Sequence, residues 1–325
     1  MKTKRLGTVF LAAVLFLGLD SSAYPQEKKY PDNPVQIILA MGAGSGGDLF
    51  FRVLSEGLKK VWNVPVNVIN KPGANGMLAA GEVASSRKDG YNVLGTQTSF
   101  LATVTVARPK GVAISLQDFD PVASFPGHTT ALLCVRGDSK FKSLQDLVNY
   151  AREKPDDLVY GTLQAGSPGY LELKLLMREA KIKMNSISYK EPGEPVSNLL
   201  GGHIDLISGV DNVMMPHIKA GKVRALVAQR RSLLFPEIPV YAEAGYPGVN
   251  VVSSLGVLGP KGLPPEVIQA WESALRVVLK DPDRLATFKK NGHAANLTTG
   301  SELAAFWKEE VQRYSRFTPE ELGWK

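Results

Sequence analysis

The chain has 325 residues, of which 44% are hydrophobic and 21% charged, and its formal net charge is +7. This length predicts two domains, and the composition is typical of an ordered globular protein. The sequence contains no long Lys/Arg block and no basic stripe with interleaved aromatic residues, which argues against nucleic-acid binding. The mild positive excess is compatible with an anionic small ligand.

The first 23 residues have the pattern of a secretory signal. Three basic residues lie within the first five positions, an apolar stretch covers 6–19, and small residues occupy 21–23. An uncleaved membrane anchor is the alternative, but the apolar run is short for a bilayer span. We therefore predict a periplasmic protein whose signal peptide, residues 1–23, is cleaved near Ala23.

The chain then alternates strand and helix patterns. A β-rich run at 35–40 leads into three glycines spaced G-x-G-x-x-G, and the next segment carries one apolar helical face. Asp48 begins this helix and suits either its N-cap or its first turn. Strand patterns at 64–70 and 91–97 flank a helical pattern at 76–86. This βαβαβ order predicts parallel strands.

A second α/β unit follows. Its predicted strands are 129–136, 157–162, 186–190, 204–209 and 223–229, and its predicted helices are 143–155, 170–180, 194–202 and 213–220. Ser143 and Asp146 have the spacing of a capping box. Cys134, the single cysteine of the chain, lies in the first of these strands, where we expect a buried thiol and no disulfide. Helical patterns at 264–281 and 300–317 close the chain.

The two units predict an α/β protein with two lobes, each a mostly parallel sheet flanked by helices. Segments 129–136 and 251–260 are the candidate crossings between lobes, because no low-complexity linker separates the units. The first lobe would comprise 24–126 with 249–325, and the second 127–248. A ligand would then bind between the lobes, at loops that leave the carboxyl ends of strands.

The glycine motif first suggests a dinucleotide site. Such a site needs an acidic residue at the end of the second strand, but that strand ends at Asn70, and no acid occurs from 57 to 81. The carboxylate of Asp48 would repel a pyrophosphate at the helix start. The G-x-x-x-x-G-K-[ST] phosphate loop is also absent from the sequence. These features argue against a nucleotide cofactor.

Three glycine-rich turns remain: "GAGSGGD", "NKPGANG" at 70–76 and "LQAGSPG" at 163–169. Each directly follows a predicted strand. Such turns present backbone N–H groups, which bind carboxylates as readily as phosphates. A tight βα turn without a ligand is the alternative for any one of them. Three such turns in a two-lobed pattern favour a shared anion site.

A set of segments between Tyr30 and Gly292 identifies a family. They include "YPDNPVQIIL", the glycine loop that ends in Asp48 with Arg52 after it, "NKPGANG", "YGTLQAGSPGYLE", "YKEPGEPVSNLLGGHIDL" and "FPEIPVYAEAGYPG". In this order and spacing, the chain resembles the substrate-binding proteins of tripartite tricarboxylate transporters, also called the Bordetella uptake gene family.

The resemblance implies a periplasmic binding protein of type II, monomeric and without a cofactor, whose lobes close on one ligand. The implied ligands are small carboxylates: di- and tricarboxylates, acidic amino acids, and aromatic or pyridine carboxylates. The implied partner is a membrane permease of one large and one small subunit. Carrying the family's ligand loops onto this chain implies a site formed by Ala43, Gly44, Ser45, Asp48, Asn75, Gly76, Thr96, Thr98, Ser99, Thr162, Ala165, Gly166, Ser167, Tyr170 and Asp211.

The chain departs from the family pattern in its loops. The first loop, "MGAGSGGD", lacks the family's proline and has extra glycines, and Tyr170 stands where the family often has histidine. Glu191 replaces a glycine near the implied cleft. It is either a solvated loop acid, a group that disfavours a second carboxylate, or an acceptor for a ligand amine or hydroxyl. These departures leave the identity of the carboxylate open.

Other residues argue against an enzyme or a metal protein. The four histidines, at 128, 203, 217 and 293, are dispersed without metal-ligand spacing, and G-x-S-x-G is absent from the sequence. Two alternatives to transport stay open. One is a sensor that docks on a membrane histidine kinase, and the other is a periplasmic enzyme.

Overall fold

The computed structural model describes residues 30–322 except 75, 109, 112–113, 128, 164–166, 192, 252–253 and 316. The predicted signal peptide and three predicted site residues, Asn75, Ala165 and Gly166, lie outside the described residues. Within the described ranges, none of the helices combines the length and apolar character of a membrane span.

The strands and helices follow in near alternation. The strands are β1 (Val35–Leu39), β2 (Val66–Asn70), β3 (Asn92–Gln97), β4 (Phe119–Pro126), β5 (Ala131–Arg136), β6 (Val159–Thr162), β7 (Asn185–Ser188), β8 (Leu206–Val210), β9 (Val223–Ala228) and β10 (Ser254–Pro260). The helices are α1 (Gly46–Trp62), α2 (Met77–Ala84), α3 (Thr98–Ala107), α4 (Leu144–Glu153), α5 (Pro168–Ala180), α6 (Gly193–Leu200), α7 (Asp211–Lys219), α8 (Pro265–Val278), α9 (Pro282–Lys290) and α10 (Gly300–Tyr314).

In the described part of the chain, the strands form two five-stranded sheets, ordered β2-β1-β3-β10-β4 and β7-β6-β8-β5-β9. Both sheets are mixed, and in each of them four of the five strands run in the same direction, which agrees with the expectation of mostly parallel sheets. In the first, β1 pairs in parallel with β2 and β3, whereas β10 is antiparallel to β3 and β4. In the second, β6 is parallel to β7 and β8, whereas β5 is antiparallel to β8 and β9.

The antiparallel pairs follow from how the chain crosses between lobes. Strand β4 leaves the first sheet toward the second, and β10 returns from it, so neighbouring β4 and β10 run in opposite directions. In the second sheet, the chain enters through β5 and leaves through β9, and these two neighbouring strands also run in opposite directions. The predicted crossing segments 129–136 and 251–260 therefore contain the strands that directly follow each crossing. The residue limits predicted for the lobes stay a prediction.

Most predicted elements occur within a few residues of their predicted positions, but β4, α3 and α9 were not predicted. The sequence of α3, TSFLATVTVA, is rich in β-branched residues and has no apolar stripe. Its side chains are buried on most sides, since it packs against both α10 and the first sheet. Tertiary packing therefore makes a helix of a sequence whose local pattern is more typical of a strand.

Helix α1 begins at the glycine loop. Ser45 is its N-cap, because its Oγ accepts a hydrogen bond of 3.2 Å from the backbone N–H of Asp48. Asp48 is thus the first-turn acid, and the alternative that it is the N-cap is wrong. The helix ends at Asn63, which has a left-handed φ of 56°. The predicted capping box of Ser143 and Asp146 at α4 is confirmed.

The Asp48 carboxylate holds the glycine loop in place. Its Oδ2 accepts from the Gly44 N–H at 2.8 Å, and its Oδ1 accepts from Asn70 Nδ2 at 2.9 Å. Arg52 Nη2 lies 3.0 Å from Oδ1. Burial alone would raise the pKa of Asp48, but hydrogen bonds from Arg52, Asn70 and Gly44 hold it below the ordinary value. One carboxylate therefore joins the loop, α1 and the end of β2.

Phe50 anchors the opposite face of α1 in the core of the first lobe. It is fully buried, and its ring centroid lies 4.9 Å from those of Phe125 on β4 and Phe288 on α9. Phe51 makes an edge contact with it at 5.8 Å. Since α1 carries the glycine loop at its start, this cluster fixes the loop relative to the sheet.

Phe50→Ala should lower the free energy of unfolding by about 3 to 5 kcal/mol, because it leaves a cavity among the rings. Leu49→Ala is the matched control, since Leu49 is 37% exposed and neighbours Phe50 on the same helix. We expect the control to change stability by less than about 1 kcal/mol. Urea unfolding measures both variants, and similar losses would contradict this account of the core.

Asp48→Asn should lower stability at neutral pH by about 1 to 3 kcal/mol, because it places an amide N–H₂ opposite hydrogen-bond donors. The folded protein lowers the pKa of Asp48, so its contribution is present at neutral pH and is lost as pH falls through the folded pKa. The difference in unfolding free energy between the variant and the wild-type protein should therefore become smaller at acidic pH.

Asp283→Asn controls for the effect of a first-turn charge alone, since Asp283 is an exposed acid in the first turn of α9. Urea unfolding at several pH values measures both variants. A loss for Asp48→Asn no larger than for Asp283→Asn would show that the hydrogen bonds around Asp48 do not stabilise the fold.

Candidate functional site

A cavity of about 90 Å³ lies where loops of the two lobes meet. The residues that line it come from both sheets and are Met41, Gly42, Ser45, Gly46, Gly47, Gln97, Thr129, Ala131, Thr162, Leu163, Ser167, Pro168, Gly169, Lys190, Ser208 and Val210. This position agrees with the expectation of a site between lobes.

Strand ends build the cavity. Gln97, Thr162 and Val210 are the last residues of β3, β6 and β8. Ala131 is the first residue of β5, and it pairs with Val210 because β5 runs antiparallel to β8. The start of β5 and the end of β8 therefore meet at one edge of the second sheet. Met41 follows β1 at the corresponding edge of the first sheet.

Two helix N-termini face this cavity from different lobes. Ser45, Gly46 and Gly47 belong to the start of α1, and the cap and first turn of α5 contribute Ser167, Pro168 and Gly169. First-turn N–H groups have no acceptor within their own helix, and the helix dipole is positive at this end. The arrangement therefore favours an anion held between two helices.

The two N-cap serines keep their hydroxyl hydrogens available. Ser45 Oγ accepts from the N–H of Asp48, and Ser167 Oγ accepts from the N–H of Tyr170 at 3.4 Å. In each bond the serine is the acceptor, so its own O–H is free to donate. A carboxylate between the serines can therefore receive a hydrogen bond from each lobe.

Thr162 places a buried hydroxyl at the cavity. The residue is only 3% exposed, and its Oγ1 has no hydrogen-bond partner among the described residues. Buried polar atoms in folded proteins are nearly always paired, because an unpaired one costs about 1 to 3 kcal/mol. A ligand oxygen in the cavity would supply the missing partner.

Lys190 is the one charged side chain among the described residues that line the cavity. It lies two residues after β7 and is exposed, so its ammonium group can approach an anion from the solvent side. Sequence reasoning singled out the next residue, Glu191, which does not line the cavity. The backbone N–H of Glu191 instead donates to Glu194 at 3.0 Å.

Three of the predicted site residues, Ser45, Thr162 and Ser167, line the cavity. Ala43 and Gly44 are exposed in the loop before α1. The other described members lie outside the lining and are buried: Asp48, Gly76, Thr96, Thr98, Ser99, Tyr170 and Asp211. Whether these residues contact a ligand stays a prediction.

Several of the buried members are occupied by protein contacts. Thr98 Oγ1 donates to Glu310 Oε2 at 3.1 Å, which joins α3 to α10. Asp211 Oδ2 accepts from Ser232 Oγ at 2.6 Å. Burial raises the pKa of Asp211, although the hydrogen bond from Ser232 and the charge of Arg230 act in the opposite direction.

Sequence reasoning did not place Thr129, Lys190 or Ser208 in the site. Gln97, the last residue of β3, lies between two predicted site residues, Thr96 and Thr98. Ser208 lies within β8, two residues before its end. Only the packing of the helices on the second sheet shows that this residue borders the cavity.

A smaller cavity of about 60 Å³ adjoins the first and shares several of its lining residues, Ser45 and Thr162 among them. Its further walls are apolar, formed by Pro195, Val196, Ile207, Val213 and Met214. The combined space therefore has a polar part between the helix starts and an apolar part against α6 and α7.

The lobes come into contact beside the cavity. A Cβ added at Gly46 would lie 2.9 Å from Val210 Cγ1, so only glycine allows α1 to approach β8 this closely. Asn212 Nδ2 also donates to the Asn291 carbonyl at 2.9 Å, which links α7 to the end of α9. These contacts restrict access to the cavity from that side.

The chain is similar to known proteins over most of its length. Residues 50–322 match the model of the tripartite tricarboxylate transporter family receptor. A UPF0065 protein of Cupriavidus necator is 29% identical over 93% of this chain and 92% of its own length. Protein BugT of Bordetella pertussis is 28% identical over 88% of each chain.

Solved structures share the fold. The periplasmic binding protein BugD has a TM-score of 0.80 at 25% identity and covers 91% of this chain and 99% of its own. An R. palustris protein with adipate has a TM-score of 0.82 at 23% identity, with 91% and 99% covered. MatC from Rhodopseudomonas palustris with bound malate has a TM-score of 0.79 at 24% identity, with 90% and 100% covered. With two mixed sheets and this similarity, the chain belongs to the tripartite tricarboxylate transporter receptor family and has the two-lobed fold of a periplasmic binding protein.

Proposed function

We propose that this protein is an extracytoplasmic solute-binding protein that captures a small organic carboxylate by hinge closure and delivers it to a tripartite tricarboxylate-type membrane transporter. The observation that carries the proposal is the opposition of two helix N-termini across one cavity, whose lining also includes the Thr162 hydroxyl, without a partner among the described residues. Each feature separately favours an anionic oxygen ligand.

The donors suit reversible capture. The helix starts and serine hydroxyls provide many hydrogen bonds with only one full positive charge, Lys190, among the described lining residues. Hydrogen bonds to a charged group are each worth about 1.5 to 3 kcal/mol, so several of them give useful affinity without a buried ion pair. A ligand held in this way can still be released when the lobes reopen.

The ligands of fold relatives support a carboxylate. The two R. palustris proteins were solved with adipate and with malate, which are both small dicarboxylates. In this chain the apolar part of the cavity, near Val196 and Met214, gives room for the hydrocarbon part of an organic acid.

Family membership favours transport over the sensor and enzyme alternatives, because the matching family model is that of a transporter receptor. Delivery requires a location outside the cytoplasm, so export with cleavage near Ala23 belongs to the same proposal. The contact of Gly46 with β8 supports hinge closure, since the two lobes already touch beside the cavity.

Purified mature protein should show a ligand-dependent rise in melting temperature with at least one small carboxylate. Binding to the folded state alone stabilises it by about 2.7 kcal/mol when the ligand is at a hundredfold excess over Kd. Differential scanning fluorimetry against di-, tri- and aromatic carboxylates, with the matching amides as controls, measures this. A flat response to the whole acid panel would reject the proposed function.

Thr162→Val should weaken carboxylate binding by about 1 kcal/mol or more, because it removes one donor without changing side-chain volume. The melting temperature of the unliganded variant should be unchanged or higher, since the hydroxyl has no partner in the described structure. Isothermal titration calorimetry measures the affinity.

Thr103→Val is the matched control, because Thr103 is also buried but donates to the Phe100 carbonyl in α3. The control should lose stability and keep its affinity. If Thr162→Val bound as tightly as wild type, Thr162 would be removed from the site.

A further inference from the structure

A buried carboxyl group lies directly behind the wall of the cavity. Glu172 on α5 is fully buried, and three side chains of the described residues donate to it. Ser208 Oγ donates to Oε2 at 2.5 Å, Gln229 Nε2 donates to Oε2 at 2.7 Å, and Tyr241 OH donates to Oε1 at 2.6 Å. Only Ser208 among these donors also lines the cavity.

The bond to Glu172 decides what Ser208 can offer a ligand. A serine hydroxyl has one hydrogen and two lone pairs, and here the hydrogen is committed to the carboxylate. The half-buried side chain of Ser208 therefore presents only lone pairs to the cavity. It contrasts with Ser45 and Ser167, whose hydrogens remain available.

The surroundings of Glu172 keep its orientation fixed. Gln229 Nε2 also lies 3.3 Å from the carbonyl of Pro168, which itself lines the cavity at the start of α5. Tyr241, fully buried on the far side, holds the second carboxylate oxygen. Glu172 is thus a positioning residue that acts on the cavity through Ser208.

We propose that the Glu172 carboxylate makes Ser208 a hydrogen-bond acceptor in the cavity, and that the ligand is therefore an organic acid carrying a hydroxyl or ammonium group beside its carboxylate. The carboxylate binds the donors of the two helix starts, and the hydroxyl or ammonium group donates to Ser208. This inference rests on the proposed carboxylate-binding function and narrows its ligand class. An acid without such a group leaves the Ser208 lone pairs unpaired in a closed cavity.

Whether the Ser208 hydroxyl accepts or donates a hydrogen bond in the cavity depends on the ionisation of Glu172. Burial raises the pKa of Glu172 to about 7, against the effect of hydrogen bonds from Ser208, Tyr241 and Gln229. Two titratable groups among the described residues act on it, Tyr241 and the buried thiol of Cys134 on β5, and burial together with the charge of Glu172 raises the pKa of both. When Glu172 is protonated it can donate to Ser208, which then regains a hydrogen for the ligand.

Matched acids test the inference by isothermal titration calorimetry. Malate and aspartate differ from succinate by one hydroxyl or ammonium group, and mandelate differs from phenylacetate by one hydroxyl. At about pH 8.5, the wild-type protein should bind the acid with the hydroxyl or ammonium group about tenfold more tightly than the unsubstituted acid in at least one series. One additional hydrogen bond accounts for a difference of this size. Near pH 6.5 this ratio should fall, because part of the Glu172 population is protonated.

Ser208→Ala should reduce the preference to near equality at both pH values. Ser45→Ala is the control on the opposite wall, and it should weaken both members of a pair while keeping their ratio. Because the readout is a ratio of affinities, a general structural effect of either substitution cancels.

Equal affinity of wild type for both members of every pair would overturn the inference and leave the proposed function standing. A preference that survives Ser208→Ala would also overturn it. Failure to bind any acid of either series would overturn the inference, and the carboxylate-binding function would fall with it only if the wider acid panel also gave a flat response.

Discussion

The rest of the site depends on two helix N-termini, from α1 and α5, that meet across one cavity. Neither helix start is enough alone, because a single N-terminus exposed to water holds an anion weakly. Facing each other, the two starts surround the same small volume with N–H groups and serine hydroxyls. The mixed sheets make this geometry, since each brings its strand ends to the edge that faces the other lobe.

Two buried carboxylates support this arrangement in different ways. Asp48 joins the loop before α1 to β2, and its donors hold its pKa low, so it stays charged. Glu172 lies behind the start of α5, where burial raises its pKa toward neutrality. The first acid fixes the position of a helix start, whereas the second sets the donor and acceptor pattern that the cavity presents. Neither needs to touch a ligand to affect binding.

The local patterns of the chain predicted most strands and helices and the capping box at Ser143. They also led to three residues of the cavity, Ser45, Thr162 and Ser167, because glycine-rich turns after strands carry their own signal. Local patterns could not identify Lys190 and Ser208 as residues of the cavity. A lysine in a loop and a serine within a strand resemble many surface residues until the sheet order places them at one edge.

The sequence by itself determined the family, the two-unit α/β pattern and the glycine-rich turns at helix starts, because periodicity and turn chemistry are local properties. Only the tertiary structure decided that the sheets are mixed, that α3 is a helix, and which side chains share the cavity. It also decided that Glu172, on an ordinary helical segment, is buried beneath Ser208. These features depend on contacts between residues far apart in the chain, and no local pattern records such contacts.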